Sequence, residues 1–94
     1  MNLETSKQKY PNIPANTVED LCEYVNRGRP VGGFLQAVLC RDLFEAVNLA
    51  DNNNRLALVD LVKLIFNDVP LMCYGKIEKV NEWISKRGME QWNT

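Results

Sequence analysis

The sequence predicts an all-α fold: a compact bundle of four to five short helices packed around a central apolar helix at about residues 55–66. Three observations predict it. Large apolar residues recur three and four apart along most of the chain, the period of a helix with one buried face. Gly, Pro and Asn clusters divide the chain into short segments, as helix stops and connectors do. No stretch alternates apolar and polar residues for long enough to make a half-buried strand.

Residues 1–15 are polar and carry Pro11 and Pro14. They are expected to form an extended arm, pinned by Tyr10 and Ile13. The first helix is expected over 17–27, capped by Asn16 or Thr17, with Glu19 and Asp20 placed to meet the helix dipole. Val18, Leu21, Cys22 and Val25 give it a single apolar face. Gly28 ends it by taking the left-handed conformation, and Pro30 blocks continuation.

Gly32 and Gly33 open the next segment, where Phe34, Leu35, Val38 and Leu39 form a stripe that Leu43, Phe44 and Val47 extend. One helix over 33–49 or two short ones would satisfy this pattern. Asp42, three residues before Glu45, has the spacing of a capping box and favours a break at Arg41-Asp42. Ala50 to Asn54 reads as a connector rich in capping side chains. From Arg55 to Phe66 only Asp60 and Lys63 interrupt the apolar residues, so a helix buried from several sides is expected there. A strand is excluded by the length of the run and by charges that do not alternate. After Pro70 and Gly75, a last helix is expected over 76–87. Ile77, Val80 and Ile84 lie on one face of it, Trp83 in the core and Glu82 paired with Lys86. Residues 16–88 thus make a single helical domain, and 89–94 a frayed tail.

Composition narrows the function. With 46% hydrophobic residues, the 94-residue chain can build one core without metal or disulfide support. A net charge of −1, with basic residues scattered, counts against a nucleic-acid partner on electrostatic grounds. A helix-turn-helix regulator using 33–49 is therefore only the last of the non-enzymatic readings. Cys22, Cys40 and Cys73 are odd in number, match no zinc spacing, and read as small buried hydrophobes. No signal sequence or membrane span is visible, so a cytoplasmic setting is expected.

The chain has no histidine, and so lacks both the commonest general base and the commonest transition-metal ligand. No phosphate loop or nucleophile elbow is present. The carboxylates Asp42 and Glu45, or Glu19 and Glu23, read as caps and solvated charges rather than an acid–base pair. No enzyme activity, cofactor or metal is expected. The segment best suited to contact a ligand is Arg27–Phe34. There Arg27 and Arg29 flank a tight stop, and Gly32, Gly33 and Phe34 open a helix whose free N–H groups could receive an anion. Turn chemistry alone also accounts for these residues. Arg41, Arg55, Tyr74 and Trp92 are candidate contacts for a protein partner.

The run Arg29-Pro30-Val31-Gly32-Gly33-Phe34-Leu35-Gln36-Ala37-Val38-Leu39, followed by Asp42-Leu43-Phe44-Glu45-Ala46 and Ala50-Asp51, resembles a family of short proteins of phages, prophages and mobile elements. Pro70, Cys73, Gly75, Lys79-Val80 and Trp83-Ile84 are similar to its later part, so the likeness covers about residues 14–88. Such proteins commonly carry Asn where this chain has Arg41. The family has no defined chemistry. The resemblance implies an accessory protein inside a bacterium, binding a host or phage protein and antagonising bacterial defence. The alternative is an oligomeric protein that sequesters a phosphorylated small molecule or nucleotide at Arg27–Phe34.

Overall fold

In a computed structural model, which describes residues 1–88, the chain folds into helices. They are α1 (Leu3–Lys9), α2 (Ala15–Arg27), α3 (Gly33–Leu39), α4 (Leu43–Leu49), α5 (Asn52–Leu56), α6 (Leu58–Asp68) and α7 (Ile77–Ser85), with a 3-10 turn at Leu71–Cys73 before α7. No strand occurs among the described residues. The all-α small bundle predicted from the sequence is the fold observed. Its Cα radius of gyration, 12.3 Å, is what a compact globule of this length has, about 12 Å.

The first departure is at the amino-terminal end, where the expected extended arm is instead the helix α1. Asn2 caps it by accepting from the Thr5 N–H at 2.9 Å. Glu4 in its first turn and Lys7 and Lys9 in its last oppose the helix dipole. It lies against α2 and α6, held by Lys7–Glu19 at 3.5 Å and Lys9–Asp68 at 3.3 Å. The Asn26 amide also exchanges two hydrogen bonds with the backbone of Met1. The segment has a cap and well-placed charges but no apolar period, so its helicity depends on this docking.

The second departure concerns which helix is central. It is α2, whose Val18, Leu21, Tyr24 and Val25 are all but sealed from solvent. Pro14, not Asn16 or Thr17, stands at its N-cap, and Ile13 and Val18 take the two positions of a hydrophobic staple. Thr17 is buried and donates to the Asn54 side chain at 2.7 Å, tying α2 to α5. Glu19 and Asp20 therefore fall beyond the first turn, and Glu19 serves the ion pair to Lys7 instead. Gly28 closes the helix in the left-handed conformation at φ 67, as its position predicts.

The break at Arg41-Asp42 is present. Asp42 caps α4 by accepting from the Glu45 N–H at 3.2 Å, and Arg41 turns the chain at φ 63. That region suits Asn better than Arg, so Arg41 occupies it against its own preference. Asp51 caps α5, and a further break at Ala57 divides the segment expected as one helix over 55–66. Only Leu61, Leu64 and Ile65 of α6 are buried, so this helix lies at the surface rather than at the centre. Trp83 of α7 enters the core, as its place on the amphipathic face predicts. Its Nε1 donates to the carbonyls of Tyr24 (2.9 Å) and Val25 (3.2 Å) in the last turn of α2, the first of which also accepts from the Gly28 N–H of the cap. The Tyr24 hydroxyl in turn donates to the Cys73 carbonyl at 2.6 Å, so α2, the 3-10 turn and α7 are locked together.

Candidate functional site

The Arg27–Phe34 corner lies at the surface, and both of its arginines already have an anion. The Arg27 guanidinium is 3.6 Å, and Arg29 Nε 3.0 Å, from the same oxygen, Glu23 Oε2. A phosphate there would have to displace that carboxylate. Gly32 is extended and a side chain added to it would meet open space, whereas one on Gly33 would touch Leu49 Cδ1 at 3.2 Å. The helix these glycines open has only seven residues, and Phe34 packs part-buried against the core. The corner is thus built as a turn, with its charges internally balanced.

Arg55 stands apart, donating to the Ala50 carbonyl at 3.3 Å beside its own helix. Two of the other three predicted partner contacts, Arg41 and Tyr74, meet each other. The Arg41 guanidinium sits over the Tyr74 ring, 5.9 Å from its centroid, in cation–π geometry. Tyr74 itself is only 6% exposed. It is therefore part of the floor of a groove rather than a free surface contact, because the turn into α7 presses its ring against the core. Trp92 lies outside the described residues.

The groove over Tyr74 leads to a surface that the apolar pattern of α6 predicts to be interior. It holds about 290 Å³ and is lined by Val38, Arg41, Val62, Ile65, Phe66 and Tyr74. A second groove of about 250 Å³, lined by Leu43, Leu58, Val59, Val62 and Lys63, shares Val62 with it. A third, broader one shares Val59 and reaches Leu56 and Ile13. The three form one strip along the outer side of α6. Val59, Val62 and Phe66 stand on that side at i, i+3 and i+7, with Phe66 75% exposed. Leu43 of α4 lines it as well, and Phe44 and Val47 are exposed further along the same short helix.

A signal for this surface was present in the sequence. A helix apolar all round needs neighbours on every side, and a chain of 94 residues buries too little of its surface to supply them. In so small a bundle, surplus apolar residues on one helix mark an uncovered face.

The thiols have no arrangement for nucleophilic work. Burial pushes Cys73 up to about 12 and raises Cys22 and Cys40 as well, so each stays a thiol near neutrality. Three of the four carboxylates weighed as acid–base candidates are engaged structurally: Asp42 in a cap, Glu19 with Lys7, Glu23 with two arginines. Among the described residues no three Cys, Asp or Glu side chains come together as a metal site, and no helix is long and apolar enough to cross a membrane. Compared with models of protein families, with curated proteins and with solved structures, the chain finds no match in any of the three.

Proposed function

We propose that this chain is a small binding protein, without catalysis of its own, that docks onto a protein partner through the apolar face of α4 and α6. The observation that carries this reading is the continuous exposed strip of Val59, Val62 and Phe66 with Leu43 of α4 beside it. Leu43, Val59, Val62 and Phe66 offer roughly 400 Å² to solvent, the size of the largest apolar patch of a typical monomer, about 300–600 Å², which is often a functional surface. A rim of Arg41, Asp60 and Lys63 gives the strip the polar border of a protein interface. The absence of histidine and the raised thiols support the non-catalytic part of the reading. The resemblance to phage and prophage proteins points to a partner in a bacterial cell, with antagonism of a bacterial defence as the use.

Affinity capture from a bacterial host tests it with two sets of variants. Phe44→Asp and Val59→Asp are expected to lose a captured protein that Arg27→Ala and Arg29→Ala retain. The reverse pattern, or nucleotide binding by calorimetry that vanishes with Arg29→Ala, would move the function to the arginine corner and overturn the proposal.

A further inference from the structure

We infer that the occupant of this face is a second copy of the chain, docked with the two α6 helices antiparallel and crossing near Val62. The inference rests on reading the face as a protein-docking surface, and it names the partner.

The first support is area. A stable interface of ordinary size takes about 800 Å² from each partner. Leu43, Val59, Val62 and Phe66 supply roughly 400 Å² per chain, about half of what one copy contributes, before Leu58, Lys63 and Arg41 around them are added.

The second support is self-complementarity. A two-fold interface sets one patch against itself, so each residue on its edge must suit whatever the symmetry brings opposite. On α6 the strip is Val59, Val62 and Phe66, and the charged residues beside it are Asp60 and Lys63, the helix's third charge, Asp68, being paired with Lys9. Helical spacing puts both charges on the same edge of the strip, three residues apart. In an antiparallel pair related by a two-fold axis, equivalent edges meet. A crossing near Val62 then sets Lys63 against the partner's Asp60, and Asp60 against the partner's Lys63. The same register lays Phe66 over the partner's Val59 and Leu58, and Val62 against its own counterpart. Within one chain neither charge is used: Asp60 and Lys63 form no ion pair with any described residue. Parallel docking would instead set this edge against the opposite edge of the strip, where neither Asp60 nor Lys63 meets the other's charge.

Sedimentation equilibrium on the full chain, from about 1 to 100 µM, tests the inference. The wild type is expected at twice the chain mass. Val62→Glu places two like charges at the axis and should weaken the dimer at least ~30-fold, with helical circular dichroism unchanged. Asp60→Lys alone and Lys63→Asp alone should each weaken it, and the two together should restore it. Only an antiparallel self-pairing gives that rescue. A monomeric wild type at 100 µM, a dimer indifferent to Val62→Glu, or a double swap no better than the single changes would overturn the inference. The two proposals fail separately. A monomer whose captured partner is lost with Phe44→Asp keeps the binding reading and rejects the second copy. A rescued dimer that captures nothing keeps the second copy and removes the host or phage partner.

Discussion

Gly28 and Gly88 meet where α2 ends and the chain leaves α7, and neither tolerates a side chain. A Cβ on Gly28 would lie 2.6 Å from the Gly88 nitrogen, and one on Gly88 2.5 Å from the Gly28 nitrogen, with both residues at positive φ. The obstacle in each case is backbone, which cannot swing aside. Gly28→Ala is therefore expected to lower unfolding free energy by about 2–4 kcal/mol in urea titration. Gly32→Ala, facing open space at φ −69, should stay within about 0.5 kcal/mol of wild type. The thiols give a second prediction at this scale. Burial raises the folded Cys73 from its ordinary 9.0 to about 12, and raises the Tyr24 phenol as well. A folded value above the unfolded one means that this contribution is whole below pH 9 and is lost as pH rises towards 12. The urea midpoint should fall progressively above pH 9, and a midpoint flat to pH 11 would contradict it. At neutral pH the half-buried Cys40 should react with a thiol reagent before the buried Cys22 and Cys73 do.

At the scale of elements, α6 carries two faces of opposite energetic meaning. Leu64 is fully buried against the core, so Leu64→Ala should cost about 2–5 kcal/mol. Phe66, two residues on, faces outward. Measured at concentrations low enough to keep the chain monomeric, Phe66→Ala should change stability by under about 0.5 kcal/mol. A large loss there would mean that Phe66 belongs to the monomer core after all. The boundary between α3 and α4 hangs on one side chain: Asp42→Ala removes the bond to the Glu45 N–H and should cost about 1 kcal/mol. Boundaries of this kind were legible because each is decided by a few adjacent residues. Asp42, Asp51 and Gly28 did what their chemistry requires wherever they stand in a chain. The helix α1 was not legible, because its apolar groups have no period of their own and its docking partners, Asn26 and Asp68, lie far along the sequence.

For the whole molecule, Trp83 is the fastening that joins the two ends of the fold. Trp83→Phe keeps much of the ring volume but removes the donor shared by the Tyr24 and Val25 carbonyls, and should cost about 1–3 kcal/mol in chemical denaturation. The sequence by itself determined the class of the fold, most helix ends and the burial of Trp83, because period and capping are local properties of the chain. It named Arg41 and Tyr74 only as separate candidate contacts, whereas the fold sets them against each other in a cation–π pair. The tertiary structure alone decided that α2 is the core helix, that Glu23 occupies both arginines of the corner, and that α6 turns a greasy side to solvent. Which apolar face is covered depends on how many neighbours a helix receives. Neighbours are allotted by the packing of the whole chain, so a pattern within one helix fixes that a face is apolar without fixing what lies against it.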